Sequence, residues 1–303
     1  MRVLGGVSFS IHPAEVVGLL GESGSGKTTT AQALIGALPA EAQVEGAINF
    51  RGADVAHAGE RALRQIRGAQ ISYIPQEPLL NLNPVLRVID QVAEVVRAHA
   101  RISAKEGRKQ AQTALQQVGL DDQAHFRYPH QLSGGQRQRV LIAQAIVCHP
   151  ALVVADEPTA SLDEAAEREI LTLLGSLVER LGISLFLISH DPAVLAAVAD
   201  RIHVIYAGRI VESGGARDVL DAPAHPYTRA LLGCRLDKPG NRAPGADRHV
   251  PAIEGVAPSF DALPPGCPFE PRCREKLSRC GESDPPELVW GARRACCFLY
   301  EQA

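Results

Sequence analysis

The chain has 303 residues, enough for one large domain or two modest ones with a core of their own. Its formal charge of −3 provides no basic field for a nucleic acid or an anionic membrane surface. No apolar run reaches bilayer length and the first residues do not read as a signal peptide, so a membrane role is expected to come through a partner.

Residues 7–11 alternate apolar and polar, as an amphipathic strand does, and residues 16–20 are a continuous apolar strand. That strand enters Gly21-Glu22-Ser23-Gly24-Ser25-Gly26-Lys27-Thr28, and a helical run over 29–38 leaves it. The octapeptide fits G-x-x-x-x-G-K-[ST] at every fixed position, in the strand–loop–helix setting that makes it a P-loop. Glycines let the backbone approach an anion closely, and the N–H groups of residues 24–29 converge at a positive helix end. Lys27 is expected to reach the β- and γ-phosphates, and the Thr28 hydroxyl to ligate Mg²⁺. Gly21 to Thr29 are thereby assigned to nucleotide: Gly21, Glu22, Ser23, Gly24, Ser25, Gly26, Lys27, Thr28 and Thr29. A glycine-rich turn that only closes a sheet would need neither the lysine nor the threonine.

Residues 44–52 and 71–74 read as further strands, the second stopped by Pro75 and Pro78 with Gln76 at its tip. Apolar groups at helical spacing over 87–119 predict a small helical insert. Leu132-Ser133-Gly134-Gly135-Gln136 opens a helix over 137–147, with Ser133 as N-cap and glycines that admit a ligand to a second positive helix end. Residues 151–155 form an apolar strand that delivers Asp156 and Glu157 at its C-terminal edge, where open α/β sheets bind ligands. Two adjacent acids need separate tasks: Asp156 suits Mg²⁺, and Glu157 suits a general base or water-orienting group. Ser161-Leu162-Asp163 form a turn before a helix reaching residue 181, and the buried strand 184–189 delivers His190, a third polar group at the same kind of edge.

In this order the motifs resemble the ATP-binding subunit of ABC transporters over residues 3–220. The resemblance implies an α/β P-loop NTPase, a RecA-like core with an antiparallel β edge and a helical subdomain at about 80–148, within an ATPase domain at 1–220. It implies ATP and Mg²⁺ as cofactors, with Thr28, Gln76 and Asp156 at the metal. Glu157 is implied to polarise the attacking water and His190 to contact the γ-phosphate. Ser133, Gly134, Gly135 and Gln136 are implied to complete a nucleotide site on a second ATPase subunit, which this branch commonly supplies as a different chain. Two transmembrane permease subunits and, indirectly, a solute-binding protein are the further partners, with the chain peripheral at the cytoplasmic face of the membrane and no nucleic acid involved. The family usually stacks adenine on an aromatic residue ahead of the P-loop. Phe9 lies on that approach but is expected to face the core, and the natural start is expected to lie upstream.

Residues 202–212 predict a hairpin turning at Ala207-Gly208. Residues 221–303 read as an extension: His225-Pro226-Tyr227-Thr228-Arg229-Ala230-Leu231-Leu232, similar to the hallmark of the peptide and nickel importer branch, then a Pro- and Gly-rich tail. Pro226 fits the first turn of a short helix in any case. Cys148 and Cys234 stand alone, but Cys267, Cys273, Cys280, Cys296 and Cys297 crowd a tail with few core-forming residues, so a metal or cross-link is expected to order it. Their spacing departs from common zinc and iron–sulfur patterns. The resemblance to oligopeptide-importer ATPases implies a [4Fe-4S] cluster on Cys267, Cys273, Cys280 and Cys297, ahead of Zn²⁺ or metal-free thiols. The expected function is therefore ATP hydrolysis driving uptake of di- or oligopeptides or a related solute. The rivals are a soluble ABC ATPase acting on DNA or ribosomes, and an iron–sulfur regulatory protein with a degenerate ATPase.

Overall fold

The continuous apolar runs become the buried strands. In the computed structural model of this protein, which describes residues 1–234 and 253–301, β1 (Val16–Leu20) is buried at every position and leads through the glycine-rich loop into α1 (Lys27–Leu34). β2 (Asn49–Phe50), β3 (Ala53–Asp54), α2 (Glu60–Ile66) and β4 (Ile71–Ile74) follow. The helical stretch comprises α3 (Pro78–Asn81), α4 (Val88–His99), α5 (Ala104–Gln117) and α6 (Gly134–Ile146). The chain continues through β5 (Leu152–Asp156), α7 (Glu164–Leu181), β6 (Ser184–Ser189) and α8 (Pro192–Val198). Beyond these lie β7 (Arg201–Tyr206), β8 (Arg209–Gly215), α9 (Ala216–Asp221), α10 (Pro226–Gly233), β9 (Glu287–Trp290) and β10 (Arg293–Cys296). Two compact units result: Ser10–Val17 with Thr28–Ser189, and Met1–Phe9 with Gly18–Lys27 and His190–Ala303. No helix among the described residues is long and apolar enough to cross a membrane.

In the unit containing Thr28–Ser189, β4, β5 and β6 pair in parallel, in the register Ile71↔Leu152 and Leu152↔Ser184. Strands covered on both faces need apolar side chains at successive positions, which is why β5 and β6 read as uninterrupted runs. α4 buries Val88, Val92 and Val96 at helical spacing, and α5 buries Ala111, Ala114 and Leu115. Buried Gln91 ties the loop before α4 in place: its Nε2 donates to Asn83 O at 3.0 Å and Leu86 O at 2.9 Å, and its Oε1 accepts from Asn83 N at 2.9 Å. α7 starts at the Asp163 cap and stops at Gly182, whose φ of 64° is the left-handed geometry of a C-terminal stop.

In the other unit, β7, β8, β10 and β9 pair antiparallel in that order, with Arg294↔Ser213 and Ala295↔Glu212 joining the extension to β8. The β7–β8 turn holds Ala207 at φ 46° and Gly208 at φ 75°. Gly5 N donates to Gly208 O at 2.8 Å, and a Cβ at Gly208 would overlap the Val3 carbonyl, so residue 208 is glycine for close approach as well as for turn geometry. The extension has more core than its composition suggests. Tyr206, Tyr227 and Phe269 are each at most 2% exposed, with ring centroids 4.5 Å apart (Tyr206–Tyr227) and 5.3 Å apart (each to Phe269).

Two predicted strands differ. Residues 7–11 alternate in exposure as expected but are not part of a regular strand. Residues 44–52 give only one arm of a short hairpin, turned by Arg51 at φ 49° and Gly52 at φ 86°. The Pro- and Gly-rich stretch falls largely on 235–252, outside the described residues.

Candidate functional site

The glycine-rich loop is built for an anion. Gly26 holds φ at 106°, a conformation other residues rarely adopt, and a Cβ at Gly21 would come within 2.5 Å of Ile205 O. Lys27 is only 5% exposed and folds back on the loop, its Nζ donating to Gly21 O at 2.9 Å and Glu22 O at 3.0 Å. Among the described residues, Ser25 Oγ is buried without a hydrogen-bond partner. A buried hydroxyl in that condition, in a loop kept clear of side chains, fits a phosphate oxygen as its partner. The Glu22 carboxylate is paired with Arg272, and Glu22 N donates to Tyr227 Oη at 2.9 Å. Phe9 is half-buried, its ring 5.2 Å from that of His203.

In the other unit, the end of β5 presents Asp156, 3% exposed, and then Glu157. Tyr73 Oη donates to Asp156 Oδ2 at 3.1 Å; burial, with the Asp156 charge beside it, pushes the phenol pKa upward and keeps it a donor. Glu157 sits at φ 46°, in left-handed backbone that glutamate seldom adopts, and its N–H donates to Ile188 O at 3.0 Å. Such strain is held where the surroundings dictate one orientation. Gln76 Nε2 lies 3.4 Å from Glu157 Oε2, so Gln76, Asp156 and Glu157 meet at one sheet edge. His190 is exposed just past β6, and Thr28 is exposed at the start of α1.

Ser133 caps α6 in a reciprocal box: its Oγ accepts from Gln136 N at 3.2 Å and Gln136 Oε1 accepts from Ser133 N at 3.1 Å. Beside it, Asp163 Oδ1 caps α7 by accepting from Ala165 N at 3.1 Å and Ala166 N at 2.9 Å. Ser133, Gly134, Gly135, Gln136, Ser161 and Asp163 share an open cleft of about 460 Å³ at the N-termini of α6 and α7, with Arg139 and Glu169 also in its lining. The capping serine and the adjacent glycines made Ser133 to Gln136 legible in the sequence. Tyr73 and Arg272 were not, since both act on partners remote in sequence.

The cysteine expectation needs correction. Cys267, Cys273, Cys280 and Cys297 do line one cavity, but it measures only about 20 Å³, room for about one water. Among the described residues no group of three or more His, Cys, Asp or Glu is placed to hold a metal ion, so neither the [4Fe-4S] cluster nor Zn²⁺ on these cysteines is supported. All of them are free thiols. Burial pushes the Cys267 thiol up to about 11 and raises Cys273 and Cys297 as well, so these thiols stay protonated at neutral pH. Phe269 packs on Tyr206 and Tyr227 in this segment, and Arg272 Nε donates to Glu254 O at 3.1 Å.

His225 lies against the same cavity and caps α10, its Nδ1 accepting from Tyr227 N at 3.0 Å. Burial, with the Arg229 charge nearby, drives its pKa from 6.5 down to about 3. Below pH 6.5 the unfolded chain takes up a proton that the folded chain refuses, so the stability His225 contributes is complete above 6.5 and is lost as the pH falls toward 3. Urea midpoints read through Trp290, the single tryptophan, are expected to drop across that window. The drop is expected to be shallower in His225→Asn, and identical slopes would remove His225 as its cause.

The ABC transporter family profile matches residues 4–160, and that of the oligopeptide/dipeptide transporter C-terminal region matches 211–280. The chain is 39% identical over 309 residues to the dipeptide transport ATP-binding protein DppD of Bacillus subtilis, spanning 100% of this chain and 90% of that protein. It is 40% identical over 297 residues to the oligopeptide transport ATP-binding protein OppD of Escherichia coli, spanning 96% and 86%. Among solved structures, the dimeric ATP-binding cassette MJ0796 bound to ADP and Pi is 30% identical with a TM-score of 0.64, over 71% of this chain and 91% of that one. Mixed sheet, P-loop and helical subdomain are thus those of an ABC cassette, as the motifs implied. By fold, by motif and by likeness over its whole length, this chain belongs to the ABC transporter family, among its ATP-binding subunits.

Proposed function

We propose that this chain hydrolyses ATP to drive uptake of dipeptides, oligopeptides or a related small solute through membrane subunits. The observation that carries the reading is its full-length likeness to peptide transport ATP-binding proteins. That likeness also speaks against a soluble ATPase acting on DNA or ribosomes. Residues 1–220 form the ATPase domain, with a helical subdomain at about 80–148, and 221–303 form the importer-type extension. The protein works peripherally at the cytoplasmic face of the membrane, on two permease subunits fed by a solute-binding protein.

In this reading the amides of residues 24–29 and the Lys27 ammonium hold the phosphates, and Ser25 Oγ gains the partner it lacks. Thr28, Asp156 and Gln76 are the residues that would hold Mg²⁺, which supplies charge neutralisation on the phosphates when bound. Glu157 orients and deprotonates the attacking water, held at one angle by its left-handed backbone, with Gln76 against its carboxylate. His190 contacts the γ-phosphate. The Ser133–Gln136 cleft faces the nucleotide of a second ATPase subunit, a different chain in this branch, so each active site is finished by its neighbour. To move a pair from mostly open to mostly closed, ATP must favour the closed state by about 5 kcal/mol, which phosphate contacts shared by two chains supply. The test is reconstitution with the permease pair in liposomes. ATP-dependent accumulation of a labelled di- or oligopeptide is expected, and co-purification with ribosomes or DNA in place of membrane partners would overturn the reading.

A further inference from the structure

Glu22 places a carboxylate at the second position of a loop that must accept a polyanion. Left alone, its charge would oppose the phosphates at short range, where screening is weak. The chain answers from 250 residues away: Arg272 Nη1 lies 2.7 Å from Glu22 Oε2, and Nη2 lies 3.1 Å from Oε1, a two-pronged pair. The Arg272 side chain is 5% exposed and that of Glu22 27%, so solvent screens the pair little.

The guanidinium is fixed before it reaches the loop. Its Nε donates to Glu254 O at 3.1 Å, Nη2 donates to Ile253 O at 3.3 Å, and Nη1 reaches Tyr206 Oη at 3.4 Å. The Tyr206 ring lies beneath it, 5.9 Å from the guanidinium carbon to the centroid. Arg272 stands on the short turn Glu270–Arg272, between Cys267 and Cys273, and Phe269 beside it packs on Tyr206 and Tyr227. The same aromatic cluster holds the Glu22 main chain through Tyr227 Oη. Side chain and backbone of one P-loop residue are therefore both held by the C-terminal extension.

We infer that Arg272 is a positioning residue for the nucleotide. It cancels and orients the Glu22 carboxylate so that the loop accepts phosphate, and it makes ATP affinity depend on the fold of the cysteine-bearing extension. This deepens the ATPase reading and rests on it.

The test uses the full chain, with the dissociation constant for a fluorescent ADP analogue measured by titration, and KM and kcat measured in the assembly with its membrane partners. Arg272→Met is expected to weaken ADP binding and raise KM about tenfold, with kcat changed less than about twofold. Added salt is expected to narrow the gap. Arg272→Lys should fall between, because it restores charge without the two-pronged geometry. The double variant Glu22→Gln with Arg272→Met should bind more tightly than Arg272→Met alone, since the opposing charge has gone. A single variant that binds normally, or a double variant as weak as the single, would overturn the inference and leave Arg272 a purely structural residue. Should Arg272→Met fail to fold, Arg272→Lys decides: it is expected to bind ADP more weakly than wild type, by less than about tenfold and with the gap narrowed by salt, and wild-type binding overturns the proposal. Failure of the wild-type chain to bind ADP or turn over ATP would instead sink the ATPase reading itself.

Discussion

Glu157→Gln is expected to bind ATP with unchanged affinity and to release phosphate at least about a hundredfold more slowly, the loss typical of a missing general base. The substitution keeps size and hydrogen-bonding reach, so the sheet edge should survive. What it removes is the ability to accept a proton from water. The position has few structural alternatives: Glu157 follows buried Asp156, occupies left-handed backbone at φ 46°, and is anchored by its N–H to Ile188 O. A residue whose only duty was structural would be better served there by glycine or asparagine, which adopt that geometry at lower cost. Steady-state phosphate release alongside an ATP titration separates binding from turnover, and normal hydrolysis would remove Glu157 from its role.

Lys27→Ala is expected to act one step earlier, on binding. The ammonium already sits within the loop, held by the carbonyls of Gly21 and Glu22 at 2.9 and 3.0 Å, so little ordering remains to be done when phosphate arrives. A hydrogen bond to a charged group is worth about 1.5–3 kcal/mol, which corresponds to about ten- to 150-fold weaker nucleotide binding. ADP affinity of the isolated chain provides the measurement, with circular dichroism to establish that the fold is intact. Unchanged affinity would mean that the loop binds through its backbone amides alone.

Much of this site was legible because its chemistry is local. A P-loop needs glycine, lysine and threonine at fixed offsets between a strand and a helix, and Gly21 to Thr28 supply all of them in one stretch. The parallel strands were legible for a related reason: burial on both faces makes residues 152–155 of β5 and 185–188 of β6 continuously apolar, and the acids and His190 follow where the strands end. What escaped reading depends on distant partners. Residues 287–296 hold no clear alternation, and their hairpin exists because β10 finds the edge of β8. Nothing near Glu22 announces Arg272, nor does anything near Asp156 announce Tyr73. The cysteine cluster erred in the opposite direction. Spacing suggested ligands, but spacing is silent on how the side chains are placed, and among the described residues no group of three or more His, Cys, Asp or Glu is placed to hold a metal ion. The aromatic trio of Tyr206, Tyr227 and Phe269 packs together residues from β7, α10 and the tail, a contact that spacing did not announce.

A nucleotide site finished by a neighbouring chain is tested most directly by Ser133→Arg, which fills the cleft at the start of α6 and leaves the P-loop sequence unchanged. Hydrolysis by the complete assembly is expected to fall at least about tenfold, as it does when a donor to the transition state is removed, while the isolated chain binds ADP as before. Wild-type hydrolysis by the Ser133→Arg assembly would contradict the shared site.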